Sequence, residues 1–191
     1  MSQLFAAIDE TFDGEFLAVV VGDDYSISRN SKSLPKHIAE VRFTIEDKRR
    51  LVQSLDFSEG SILVHCIKYG LPSLRDTIDK KIKTGAIRIH RNKVNRKISY
   101  EFVRTIEGFY NYFVLSEHHM HLQEIDFEVD NDIIRDYLRN GGFSVTIPER
   151  THRIADSVAY ANGHSWRINN VVEHCEDFQK EFHKMIIDKL L

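Results

Sequence analysis

Cysteine and proline are both scarce in this chain. Two cysteines, Cys66 and Cys175, lie far apart among 191 residues, and there are three prolines. So few thiols exclude a disulfide framework and make a cysteine zinc site a poor reading, leaving a reducing, cytoplasmic setting as the expectation. Three prolines with nine glycines leave little room for disordered linkers. No segment approaches the roughly 20 apolar residues needed to span a bilayer, and the opening MSQLFAAIDE lacks the basic start and apolar run of a signal peptide. No membrane partner is expected. Glycine-rich phosphate loops are missing: neither GxGxxG nor GxxxxGK followed by Ser or Thr occurs, which argues against a nucleotide cofactor or an NTPase. A GxSxG elbow and a cysteine-centred signature are absent too, so simple serine or cysteine hydrolases rank low.

What the chain does hold is an ordinary globular balance, 42% hydrophobic and 29% charged, in a length suited to one domain with a sizeable core. Its formal net charge of -3 speaks against a basic packaging protein, but the charge is unevenly spread. From Lys80 to Tyr100 there is no acidic residue, while Lys80, Lys81, Lys83, Arg88, Arg91, Lys93, Arg96 and Lys97 fall in that window. Such a surface neutralises several phosphates, so nucleic acid is the expected partner. A solvated helix-and-loop surface is the plain alternative.

Periodicity supplies the elements. LFAAIDETF and EFLAVVVG read as antiparallel strands joined at Asp13-Gly14, a two-residue hairpin signal. Tyr25 to Ser28 reads as a further short strand, residues 46–55 as a helix opened by Thr44 or Asp47, and SILVHCIKYG as a buried strand. A helix from Pro72 to about Lys83 follows, then a long one carrying Ile98, Phe102, Ile106, Phe109 and Phe113 on one face. QEIDFEVD alternates strictly, with Ile125, Phe127 and Val129 on one side and Glu124, Asp126, Glu128 and Asp130 on the other. DIIRDYLRN, THRIADSVAYANG and residues 176–190 read as helices, and FSVTIPE as a strand. The whole predicts an α/β domain, a mixed sheet flanked by helices.

Asp9, Asp130 and Asp156 sit where their neighbours should be buried. An ionised carboxylate near a core costs several kcal/mol or more unless it is paired or metal-bound, roughly, and a shared divalent cation would meet that cost. Plainer readings stand beside it: Asp9 as a strand-end acid, Asp130 as a helix cap with Asp126 its substitute, Asp156 in a salt bridge with Arg150 or Arg153. His152, one turn before Asp156, is placed to assist water activation or is a polar flank. His118, His119 and His121 lack a second spaced ligand pair and read as a polar loop at a helix end.

IDET, VDNDIIRDYL and RIADSVAYA, in that order, resemble the aspartate motifs of the ribonuclease H-like superfamily, which includes integrases and junction resolvases, and most closely an uncharacterised prokaryotic group within it. The resemblance implies a single ribonuclease H-like domain over 1–191, with a mixed five-stranded sheet, a helical insertion at about 30–97 and a C-terminal helix at about 176–190. It implies two Mg2+ or Mn2+ ions held by Asp9, Asp130, Asp156 and a glutamate, for which Glu101, Glu107 and Glu10 are the candidates. The implied activity is two-metal phosphodiester hydrolysis, with Asp9 bridging the ions and no side-chain nucleophile. A non-catalytic module for nucleic-acid binding or protein assembly on the same fold is the rival; DNA against RNA and a homo-oligomer are left open.

Overall fold

In the computed structural model, residues 3–57, 62–109, 125–130, 132–147, 149–174 and 176–191 are described. Their order is β1 (Leu4–Glu10), β2 (Phe16–Asp23), α1 (Asp24–Ser31), α2 (Ile45–Gln53), β3 (Ile62–Lys68), α3 (Leu71–Lys83) and α4 (Arg91–Phe109). Then come β4 (Ile125–Glu128), α5 (Asp132–Asn140), β5 (Ser144–Thr146), α6 (Arg150–Gly163), β6 (Val172–His174) and α7 (Glu176–Leu190). The strands form one mixed six-stranded sheet in the order β5-β4-β1-β2-β3-β6. The pairs β1/β2 and β2/β3 are antiparallel; β1/β4, β4/β5 and β3/β6 are parallel.

Local chemistry explains where elements start. Thr44 caps α2 by accepting the Asp47 N–H at 3.1 Å while its hydroxyl donates to the Asp47 carboxylate at 2.6 Å, a reciprocal closure of the first turn. Gly70, at φ 59°, turns the chain in the left-handed region before α3, with Pro72 in the first turn.

Four expectations need correction. Tyr25–Ser28 is not a strand but part of α1, because the Asp23 carboxylate accepts the Ser26 N–H at 2.8 Å and starts a helix straight off β2. The first hairpin is not a two-residue loop: the Thr11 N–H donates to the Phe16 carbonyl at 2.9 Å and closes a connection from Phe12 to Glu15, within which the Gly14 N–H donates to the Thr11 carbonyl at 2.8 Å. The sheet has six strands, not five; β6 is three residues long and exists by pairing with His65–Ile67 of β3, so it carries no periodic signal of its own. Finally, β3 lies within the stretch expected as an insertion, yet it is an inner strand between β2 and β6.

Side-chain alternation divides the core in two. Ala6, Ile8, Val19, Val21, Ile67, Ile125 and Phe127 face Leu74 and Ile78 of α3, Val94 and Ile98 of α4, Leu138 of α5 and Phe182 and Ile186 of α7. Ala7, Ala18, Val20, Ile62 and Val64 face Ile27 of α1, Val52 of α2 and Ile154, Ala155, Val158 and Ala159 of α6. The alanines of α6 let its backbone lie close across β1 and β2, with which it packs. The side chains of Phe102, Ile106, Phe109 and Glu107, together with Phe113 and His118, His119 and His121, fall outside what is described. Among the described residues, no helix is long and apolar enough to cross a membrane.

Candidate metal centre

The parallel pairing of β1 with β4 sets Ala7 opposite Glu128. Two residues further along both chains, Asp9 and Asp130 come level at the carboxyl ends of adjacent strands, where ligands of α/β sheets gather. Parity decides which way they face. Asp9 shares the α6 side with Ala7 and not the side of Ile8, and Asp130 shares it with Glu128 and not with Phe127. Helix α6 lies over that side and contributes His152 and Asp156, four residues apart on one helical face.

Asp9, Asp130 and His152 each present a ligand atom within 4.8 Å of the others. The His152 ring is 2% exposed. Its Nε2 stands 3.5 Å from an Asp130 oxygen and, among the described residues, has no properly formed hydrogen bond, a costly state for a buried nitrogen. Asp156 joins from the side. One of its oxygens accepts the Ile38 N–H at 2.7 Å and the other lies 3.9 Å from His37 Nδ1, while its charge acts on Asp9.

The electrostatics are those of crowded carboxylates. Burial pushes Asp9 from 3.8 up to about 7; Asp156 and Asp130 add to this, while His152 and the Glu10 N–H, 2.8 Å from Asp9, oppose it. Burial also raises Asp156, against the Ile38 N–H and the two histidines. The His152 ring, 3.5 Å away, holds Asp130 below the usual range by its polar contact and charge, against the effect of burial. For His152, burial disfavours the charged ring, but Asp130, Asp9 and Asp156 outweigh it and raise its pKa. Without a cation the cluster therefore keeps protons that bare carboxylates would lose near neutral pH. Two carboxylates and an under-partnered imidazole nitrogen form an oxygen and nitrogen donor set that fits a divalent ion.

Sequence reasoning missed Glu128 as a functional support. Its carboxylate, 4% exposed, accepts the Glu149 and His152 N–H groups at 2.9 and 3.0 Å and the Thr151 hydroxyl at 2.9 Å. It thus caps the first turn of α6 from a neighbouring strand and fixes where His152 stands. The signal was its place on the acidic face of β4, opposite a helix start lacking its own capping side chain.

Other expected residues lie elsewhere. Glu101, on α4, is paired with Lys189 of α7 and is not among the groups gathered around Asp9. Glu10 accepts the Tyr69 hydroxyl at 2.8 Å, and burial and Glu10 raise the Tyr69 pKa above its ordinary value. Asp126 takes a hydrogen bond from the Gln3 side chain, so Asp130 and not Asp126 is the β4 acid in the cluster. Arg150 pairs with Asp24, and Arg153 reaches the Leu34 carbonyl; neither holds Asp156. The basic residues from Lys80 to Lys97 belong to α3, α4 and their connection, helices that cover the opposite sheet face. There Arg91 pairs with Asp79 at 3.2 Å and Lys97 donates to the Lys189 carbonyl at 2.9 Å.

No protein-family model and no curated protein matches this chain.

Proposed function

We propose that the chain is a metal-dependent phosphodiesterase, a nuclease, on a ribonuclease H-like fold. The observation that carries the reading is the meeting of Asp9, Asp130 and His152 within 4.8 Å, with His152 Nε2 buried and under-partnered. A mixed sheet whose first three strands are antiparallel, with acids at the ends of β1 and β4, supports the same fold reading. Asp9, Asp130 and His152 would hold a divalent ion, with Asp156 beside them as the further acid for a second. An imidazole among the donors suits Mn2+ better than Mg2+. Bound there, such ions would supply Lewis-acid chemistry, making a bound water more acidic and offsetting charge on the scissile phosphate.

The chain's own groups do the rest. Glu128 and the Ile38 N–H orient His152 and Asp156, so the donors are preorganised. Asp9 and Asp156, with raised pKa values, would give up their protons on holding a cation. The test is cleavage of labelled single-stranded, duplex, hybrid and branched nucleic acids in Mn2+ or Mg2+ by wild type and Asp9→Asn. Cleavage by wild type alone supports the reading; equal cleavage by both removes Asp9 from the mechanism.

The rival, a non-catalytic binding or assembly module, draws on one observation: Glu101, one of the candidates for the long helix's glutamate, is engaged with Lys189. A tight, salt-sensitive complex without turnover would favour it.

A further inference from the structure

The acid cluster opens into a cavity of about 470 Å3, and its walls are unusual in two respects. Among the described residues, every Asp, Glu, Lys or Arg side chain that lines it is a carboxylate: Asp9, Glu10, Asp13, Glu40, Asp130 and Asp156. Its remaining large side chains include three rings besides that of His37, namely Phe12, Tyr160 and His164.

Phe12 stands fully exposed at the tip of the β1–β2 connection, forgoing about 2 kcal/mol of apolar burial. The loop beneath it is firmly built. The Thr11 hydroxyl donates to Asp13 at 2.6 Å and accepts the Glu15 and Phe16 N–H groups, each at 3.1 Å. Across the cavity wall, Tyr160 and His164 lie 4.3 Å apart between ring centres, tilted by 31°, and His164 continues onto Trp166 at 4.9 Å, tilted by 37°. Flat, apolar faces beside a cation-binding cluster suit a planar ring with a phosphate attached.

The charge pattern limits what can bring that ring. A strand whose backbone ran through the cavity would set its phosphates against six carboxylates; Lys48, behind the wall and 8% exposed, is held by the Ala39 carbonyl at 2.9 Å and the Tyr160 ring. The basic helices α3 and α4 cover the other face of the sheet. One phosphate is tolerated, the one neutralised by the bound cation. A duplex keeps its bases stacked inside and offers these rings nothing.

We propose that the cavity takes one unpaired nucleotide, its phosphate at Asp9 and Asp130 and its base against Phe12, Tyr160 and His164. The assignment rests on the phosphodiesterase reading and names its substrate as a single-stranded end or a flipped-out base.

The test uses the full chain with labelled adenine tetranucleotides of DNA and RNA, and a blunt duplex DNA. Binding is followed by anisotropy in Ca2+ and cleavage in Mn2+, with emission of Trp166, the single tryptophan, reporting location. Single strands should bind at least about 10-fold more tightly than duplex and quench Trp166, and Phe12→Ala should weaken them about 10-fold. Phe12 is fully exposed, so its replacement leaves the fold intact, and a circular dichroism melt checks this. Equal affinity for duplex and single strand, or single-strand binding indifferent to Phe12→Ala, overturns the proposal. Cleavage that prefers duplex and ignores Phe12 removes this inference while the phosphodiesterase reading stands. Phe12-dependent single-strand binding without cleavage in Mn2+ removes that reading and leaves the nucleotide pocket.

Discussion

The two faces of the sheet handle charge in opposite ways. On the face covered by α3, α4, α5 and α7, the core is aliphatic and aromatic, and the charges of the Lys80–Lys97 window stay in solvent or pair at the rim. On the face covered by α6, carboxylates and an imidazole are drawn inward among alanines and valines, at the end where β1 and β4 stop. Exposed charge costs the fold little and can be exchanged freely. Inward charge must be offset by neighbours, by retained protons or by a bound cation. The α6 face is thus where substitution should change chemistry, and the α4 face where it should change mainly surface behaviour.

The sharpest test is Asp9→Asn. It should lower metal-dependent cleavage on the order of 10^3-fold, since several kcal/mol of charge stabilisation goes with the ligand, while circular dichroism shows an intact fold. Steady-state cleavage in Mn2+ measures it.

Nearly as large is the pH dependence of stability in EDTA. Asp9 titrates near 7 when folded against an ordinary 3.8, so the folded state binds the extra proton between these values and stability falls as pH rises from about 4 to 7. The amount is on the order of 4 kcal/mol. His152, with its raised pKa, loses stability in the same direction above its ordinary value, whereas lowered Asp130 matters only at acid pH, where its contribution is lost. Denaturant melts of wild type and Asp9→Asn should diverge across that window and run parallel above it. Mn2+ should restore the wild type alone.

Glu128→Ala comes next. It strands two buried N–H groups and a hydroxyl and should cost about 3 kcal/mol, lowering Tm by roughly 6–12 °C. Metal affinity, read by calorimetry, should fall about 10- to 100-fold, the usual effect of losing a ligand's support. On the opposite face, charge reversal at Lys83, Arg88 and Lys93 should flatten the salt dependence of nucleic-acid binding by about one unit of log–log slope per lost phosphate contact. Cleavage of a tetranucleotide should not change. Smallest of all, Glu101→Gln should cost about 1–2 kcal/mol, because the carboxylate is buried but Gln keeps an oxygen for Lys189, itself about one-third exposed. A loss of metal affinity in that variant would return α4 to the site and erase the contrast between the faces.

Much of the fold was legible because burial leaves a period. The alternation through β4 and the helices α5, α6 and α7 follow directly from residue spacing. The misses are places where a neighbour, not a pattern, decides. α1 is started by one carboxylate of β2, and β6 exists through its pairing with β3. Asp9, Asp130 and Asp156 stood out as acids in apolar company, and His152 as one turn from Asp156. Glu101 stood out for its position on a long helix, and only the packing of α4 against α7 gives it to Lys189.

The sequence by itself determined which residues carry charge into the core and which strand face they take, because side-chain direction follows from parity and a one-residue slip would expose the apolar set. Which acids meet was decided by the tertiary structure. Parallel register brought Asp9 level with Asp130, the Glu128 cap set the first turn of α6 above them, and His152 and Asp156 came with it. Asp9 lies more than 100 residues from Asp130, His152 and Asp156, and even Glu128 and His152 are 24 residues apart, separations to which local periodicity is blind.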